Sequence, residues 1–335
     1  MRKRLFLVLS VLLLALSTGC QRIQLYEAEA GVYLRVTVDT SLDPAVEALL
    51  DFDARPELLD KVAGKTPELV RACFYDAVSH ELVKEDFLPL QGGFVDVPAG
   101  AYDVVVYGLG TEATQVACTE TRAGAYAFTS PTGSRVKMQG ASGKADEDEA
   151  DEQPVVFEPD HLFVGRIAGA LVPVRPTDAE TTVLSAELSR LTDSWILEVS
   201  EVVGAERIRK AEVYLTGQTA DRYLWDGRTS NRTCAIGFET EIDVTEGRLF
   251  AVFNSFGRSL QTETDVIVNV LVTTENGSRC RYVYDVTDQW LNPDNAAHRI
   301  VVEEPVEIPG DDYQGGGFDP IVNDWDGEAI PIIIE

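Results

Sequence analysis

The chain of 335 residues carries 56 acidic against 28 basic side chains, a formal charge of −28, and is 45% hydrophobic. This surplus of acid argues against nucleic-acid binding, which depends on clustered Lys and Arg displacing counterions from phosphate. The apolar content is that of folded domains rather than disordered or fibrous chains, and the length accommodates one or two domains with cores of their own.

The first residues are of another kind. Arg2, Lys3 and Arg4 precede an almost unbroken apolar run over 5–16, the basic start and apolar core of an export signal, too short to span a bilayer. The run leads into Leu16-Ser17-Thr18-Gly19-Cys20, which resembles the bacterial lipoprotein signal. That resemblance implies cleavage before Cys20, a thioether-linked diacylglycerol on its sulfur and an acyl chain on the new amino group. Ser17 stands where the usual large aliphatic residue would be, and an ordinary secretory signal with an incidental cysteine is the plainer alternative. Loss of residues 1–19 removes three basic side chains and no acidic one, taking the charge from −28 to −31. Two or three acyl chains, at about 0.8 kcal/mol per buried methylene, would hold the protein on a bilayer, while its charge offers anionic lipid no attraction. Gln21 in place of an aspartate lacks the inner-membrane retention signal of some lipoproteins and points to the outer membrane, with Cys20 as the attachment.

Along the mature chain, Val32, Leu34, Val36 and Val38 alternate with Tyr33, Arg35 and Thr37, predicting a strand with one buried face. Asp43-Pro44 followed by Val46, Leu49 and Leu50, and Pro56 with Leu58, Leu59 and Val62 closed by Gly64, predict two short helical pieces forming an excursion between strands. Strands are expected again at 69–75, 81–88, 93–97 and 102–107. The last two are joined by Val97-Pro98-Ala99-Gly100-Ala101-Tyr102, where Pro sets φ and Gly allows the positive φ of a tight turn. Residues 141–154 form an acidic loop whose Asp146, Glu147, Asp148, Glu149, Asp151 and Glu152 bury too little surface to order themselves and lack the spacing of a calcium loop.

A second set of strands is expected at 162–174, 182–189, 195–201, 209–216, 238–244, 249–253 and 264–274. Asn276-Gly277 then signals a type I′ hairpin leading into 279–286. A strand at 299–302 precedes a Pro- and Gly-rich stretch, and the chain ends in Ile330-Pro331-Ile332-Ile333-Ile334. Pro331 has no N–H to give a ladder, which marks an edge strand. About fourteen short strands with two brief helices fit an all-β chain of two tandem β-sandwiches. The expected division is a signal peptide at 1–19, a first sandwich at 20–177 and a second at 178–335.

With Cys20 assigned to lipid, Cys73, Cys118, Cys234 and Cys280 remain, an even number in an exported chain. Three connectivities are open. Cys73 with Cys118 and Cys234 with Cys280 would keep one bridge per domain, closing loops of 45 and 46 residues and contributing about 4 kcal/mol each before strain; four unpaired thiols are the alternative. No cysteine pair has the spacing of a metal site, and no cofactor is indicated. His80, His161 and His298 stand in no ligand or triad pattern, and no nucleotide-binding or nucleophile-elbow motif occurs. Asp319, Asn323, Asp324, Asp326 and Glu328 could gather around calcium but read better as a polar hairpin beside Trp325. Tyr223, Trp225 and Trp290 could stack a sugar if they faced solvent, or fill a sandwich core.

A strand, a Pro-x-Gly-x-Tyr turn and a Val-rich strand recur in transthyretin-like sandwiches. With the motifs at 16–20, 31–39 and 98–107, Pro159-Asp160-His161-Leu162-Phe163-Val164-Gly165, and the tail from Gly316-Gly317-Phe318-Asp319 to the isoleucines, the mature chain resembles the fimbrillin-like lipoproteins of Bacteroidetes, close to the minor-fimbrium anchor group and a related family of unknown function. The resemblance implies two transthyretin-like domains, an outer-membrane anchor and a non-enzymatic role in building, anchoring or tipping fimbriae, with fimbrial subunits or other surface proteins as partners. In such fimbriae a strand of one subunit completes the sheet of the next, a role open here to Ile330, Ile332, Ile333 and Ile334. A glycan-binding lipoprotein of a carbohydrate-uptake system is the competing reading.

Overall fold

The computed structural model describes residues 30–42, 44–137, 152–174, 181–261 and 264–310. The expected signal segment at 1–19, Cys20, the core of the acidic run, the carboxylates at 319–328 and the terminal isoleucines lie outside the described residues.

In chain order the first half supplies β1 (Gly31–Val38), the helices α1 (Pro44–Glu47) and α2 (Pro56–Ala63), β2 (Leu69–Asp76), β3 (Leu82–Pro89), β4 (Gly92–Asp96) and β5 (Gly100–Gly108). It continues with β6 (Thr114–Ala117), β7 (Tyr126–Thr129), β8 (Pro131–Lys137), β9 (Glu152–Phe157), β10 (Phe163–Val172) and β11 (Thr182–Arg190). The second half adds β12 (Asp193–Val199), β13 (Val202–Val203), β14 (Ile208–Thr219), β15 (Asp221–Tyr223), β16 (Thr233–Glu239), β17 (Glu241–Asp243) and β18 (Arg248–Ser255). Last come β19 (Ile267–Thr274), β20 (Arg279–Asp285), α3 (Thr287–Leu291), β21 (Arg299–Val302) and β22 (Val306–Glu307).

The chain is mostly β and sandwich-like, as the alternating apolar pattern predicts. A seven-stranded sheet, β3-β2-β5-β10-β11-β1-β4, folds over on itself. Only Phe163 with Arg190 and Val164 with Ser189 pair β10 to β11, so the sheet turns a corner there. Val32, Leu34 and Val36 on one leaf meet Val70, Ala72, Phe74, Val104 and Val106 on the other. The opposite face of β2 and β5, carrying Cys73, Tyr75, Val105 and Tyr107, is covered by the small sheet β15-β7-β6. Burial on both faces accounts for the unbroken apolar run of β5. In the turn before β5 the Tyr102 hydroxyl donates to the Pro98 carbonyl at 2.9 Å, a polar tether that lets a buried tyrosine close the corner.

The second sandwich packs the six-stranded sheet β20-β19-β14-β16-β9-β8 against β17-β18-β12-β21. Its core holds a stack in which Trp195 lies 3.7 Å from Trp290 and 4.6 Å from His298. The two sandwiches do not divide at residue 178. β8 and β9 lie before it yet pair into the second sandwich, while β11 lies after it and pairs in parallel with β1 of the first. Local patterning shows which residues face a core but not which core they face.

Three local expectations also change. The acidic loop ends earlier, because Glu152, Gln153 and Pro154 already belong to β9, where the buried Gln153 amide oxygen accepts from Gly217 N at 2.9 Å. The hairpin at Asn276-Gly277 forms, but only Gly277 has positive φ, at 87°. Gly277 N donates to Thr274 O and Thr274 N to Ser278 O, both at 2.9 Å, a three-residue loop in place of the type I′ turn. The helical excursion forms over the expected residues but packs across the molecule. Val46, Leu50, Leu58 and Val62 cover Ile196 and Val252 on the outer face of the second sandwich.

Trp290→Ala removes one ring of the buried stack and should lower the unfolding free energy by about 3–5 kcal/mol, read from denaturant midpoints. Loss of the near-ultraviolet circular dichroism of the stack should accompany it.

Candidate functional site

A concavity of about 630 Å³ lies where the two sandwiches meet, between α2, the end of β5 and the segment 158–162. It holds the motif Pro159-Asp160-His161 that links β9 of one sandwich to β10 of the other. A second crossing, 191–192, links β11 back to β12. The two crossings run side by side, with Leu191 N donating to Leu162 O at 2.8 Å.

Side chains close the gap between them. His161 is buried, its Nδ1 2.6 Å from Thr192 Oγ1 and its Nε2 3.0 Å from Ser194 Oγ. Ser194 Oγ gives its proton to Asn254 Oδ1 at 2.8 Å, so it accepts from His161 Nε2–H, and Nδ1 accepts from Thr192. Asn254 N donates to Glu158 Oε1 at 2.8 Å, and Lys61 Nζ on α2 donates to Glu158 Oε2 at 3.0 Å. Asp160 Oδ2 gathers the successive N–H groups of Glu112, Ala113 and Thr114 at 2.7, 2.5 and 3.3 Å. Arg190 donates to Ala63 O at 3.2 Å and to Ser41 O at 2.5 Å, fastening both ends of the helical excursion. Gly64 ends α2 at φ +76°, and a Cβ there would stand 2.7 Å from His161 Cβ. Only glycine lets the helix terminus lie against the imidazole.

The outline is that of a serine beside a histidine, but the chemistry runs the other way. Burial, aided by the Arg190 charge, holds the His161 pKa down to about 4, and Nε2 already carries the proton that a general base would have to accept. Burial raises the Glu158 carboxyl, with Lys61 opposing. These groups are spent on one another, and the arrangement is a joint.

The other sequence-flagged residues are scattered. His80 Nδ1 lies 3.8 Å from the buried Asp103 carboxylate, which also pairs with Arg122. His298 belongs to the tryptophan stack. Trp290 is buried in that stack, the Arg122 guanidinium lies 4.4 Å over Trp225, and Arg228 lies 3.8 Å over Tyr223. The three rings therefore form no shared solvent-facing platform. The four described cysteines stand as free thiols, the second of the two alternatives. Cys234 on β16 and Cys280 on β20 are separated by β14 and β19, about 14 Å at sheet spacing, beyond the roughly 7 Å a bridge tolerates. Cys73 is sealed in the core beneath the small sheet while Cys118 is exposed. Among the described residues no cluster of His, Cys, Asp or Glu could hold a metal ion, and no helix is long and apolar enough to cross a membrane. In the sequence the segment at 159–165 stands out only as a family motif, and its local signal is the Asp160-His161 pair set directly before the strand that opens with Leu162-Phe163-Val164.

Two outcomes follow. As pH falls from about 6.5 to about 4, the unfolded chain protonates His161 while the folded chain does not, so this residue withdraws up to about 3 kcal/mol of stability across that window. The raised Glu158 acts in the opposite sense, so the measurement is the difference between wild type and His161→Gln: urea unfolding of the variant should lose stability less steeply in that interval. Iodoacetamide should alkylate Cys118 in the native protein and reach Cys73 and Cys234 only on unfolding, since burial raises their thiols to about 11 and about 12.

No curated protein matches the chain. Among solved structures, a Bacteroides ovatus protein described as a "putative adhesin" aligns over 87% of this chain and 97% of its own at 19% identity and TM-score 0.57, which shows a shared fold. The fimbrial anchor protein Mfa2 from Porphyromonas gingivalis aligns over 81% and 90% at 13% identity and TM-score 0.47. A protein from Bacteroides thetaiotaomicron described as a "putative polysaccharide binding" protein aligns over 82% and 89% at 10% identity and TM-score 0.47. The family model described as a domain of unknown function, DUF5119, matches residues 51–239, more than half of the sequence, and the chain belongs to that family.

Proposed function

We propose that the protein is a non-enzymatic, lipid-anchored protein of the outer-membrane surface with a structural role in fimbrial assembly, anchoring or adhesion. The carrying observation is where the chain enters the fold relative to the joint. The chain reaches β1 at the end of the first sandwich remote from the joint at 158–162 and 191–192, where the chain crosses to the second. Attachment through acylated Cys20 would hold the first end at the bilayer and display the second sandwich outward. A joint whose polar groups are mutually satisfied suits a spacer under load better than a catalyst. Ile330, Ile332, Ile333 and Ile334 are the segment offered for strand exchange with a fimbrial subunit. The shared fold with an adhesin-type protein is in keeping with this role.

Affinity purification of the full chain from its native cell surface tests the reading. Recovery of fimbrial subunits supports it, and recovery of a glycan-uptake transporter overturns it. Cys20→Ala should leave the precursor uncleaved and free of acyl chains. A variant processed and membrane-bound like wild type would refute the anchor.

A further inference from the structure

The three most exposed large apolar side chains among the described residues, Val78 at 88%, Leu171 at 69% and Val174 at 63%, lie at one pole of the first sandwich. Strand register puts them there. Leu171 pairs with Ala101, Ala77 N donates to Ala101 O at 3.0 Å, and Val174 lies two residues past the pairing of Val172 with Gly100. Val78 is held at the tip of its turn because Asp76 Oδ1 accepts from Val78 N and Ser79 N at 2.9 and 2.7 Å. One residue row inward, Tyr33 pairs with Phe94 on one side and Val183 on the other, and all three are exposed. This is the pole where β1 begins, since Gly31 pairs with Asp96 and Val32 with Thr182. It is the end opposite the joint.

We propose that this pole rests in the headgroup layer of the membrane to which the chain is tethered, with Val78, Leu171 and Val174 inserted at the edge of the acyl region. The proposal rests on the anchored reading above. Nine residues lie between Cys20 and Ala30, ten Cα-to-Cα steps with a reach of at most about 35 Å, and Ala30 leads into β1 at this end. Three small apolar tips would bind a bilayer negligibly from free solution. A tether of this length makes the contact intramolecular and raises the local lipid concentration accordingly. The segments 76–80, 96–102 and 170–174 contain no Lys or Arg and carry two carboxylates, Asp76 and Asp96, so the apolar tips stand among acidic groups and the contact has no attraction to anionic lipid of the kind a basic patch supplies. Tyr33 and Phe94 stand one row higher, at the level where aromatic rings settle at a membrane interface. The acyl chains supply the attachment; this contact sets orientation, aiming the second sandwich away from the bilayer.

The test uses the full lipidated protein in zwitterionic phosphatidylcholine vesicles, with Val78→Trp and Leu171→Trp read against Val203→Trp, which is 60% exposed on the second sandwich. Brominated acyl chains should quench the added emission at 78 and 171 and leave that at 203 unchanged. Co-flotation with vesicles without quenching at 78 and 171, or equal quenching at all three positions, overturns the proposal. Failure to co-float overturns the lipid anchor instead. A second arm, with a hexahistidine tag in place of residues 1–20 on nickel-chelating lipid, then decides the pole contact by the same quenching comparison. Self-association through this pole, seen as loss of quenching together with a dimer in solution that Val78→Asp abolishes, also overturns it.

Discussion

The chain passes between the sandwiches three times, between β5 and β8, at 158–162 and at 191–192, and the architecture depends on the last two crossings, which are held side by side. Each sandwich borrows strands from the other half of the chain, so the polypeptide must pass between them at 158–162 and again at 191–192. Backbone polar groups in such a passage are withdrawn from water and need partners. Leu191 N donating to Leu162 O, Thr114 Oγ1 to Asp160 O and Arg222 to Leu191 O supply them, and a side-chain run from Thr192 through His161, Ser194 and Asn254 to Glu158 and Lys61 lies alongside. A buried network of this kind is favourable only when every member is satisfied. That explains why the histidine is neutral, why Glu158 carries its own lysine, and why a glycine ends the neighbouring helix.

The helical excursion between β1 and β2 follows from the same constraint. It leaves the first sandwich, covers Ile196 and Val252 on the second, and returns past the joint. Arg55 adds a 2.9 Å pair to Glu241, and its guanidinium lies 4.9 Å over Phe250. Helix, crossings and borrowed strands together brace the two sandwiches, so bending at the joint would have to break buried packing and buried hydrogen bonds at once.

Acidity has a different standing. Most described ion pairs keep at least one partner in contact with solvent and are worth little individually, and the charge of −28 favours solvation of the protein surface. Against that background the pole where β1 begins is set apart by the exposed apolar tips Val78, Leu171 and Val174 beside Asp76 and Asp96, and its position at the start of β1 gives it meaning.

The sequence by itself determined the elements whose signals are local. The alternation at 32–38, the Pro-led helices at 44–47 and 56–63, the strands at 69–108 and the Asn-Gly hairpin are all present, because period-two burial, proline at a first helical turn and glycine at positive φ act within a few residues. The signal motif ending in Cys20 is likewise local. Tertiary structure alone decided the rest. The strands β6 to β9 went unread because they are short and gain their burial from sheets formed elsewhere in the chain. The exchange of β8, β9 and β11 between sandwiches is set by pairing partners far apart in sequence. The cysteines show the limit most plainly. Even spacing offered two bridges, but a sheet order that inserts β14 and β19 between Cys234 and Cys280 separates them by more than a disulfide can span. Which strand neighbours which is a property of long-range hydrogen bonding and packing, and no window of residues contains it.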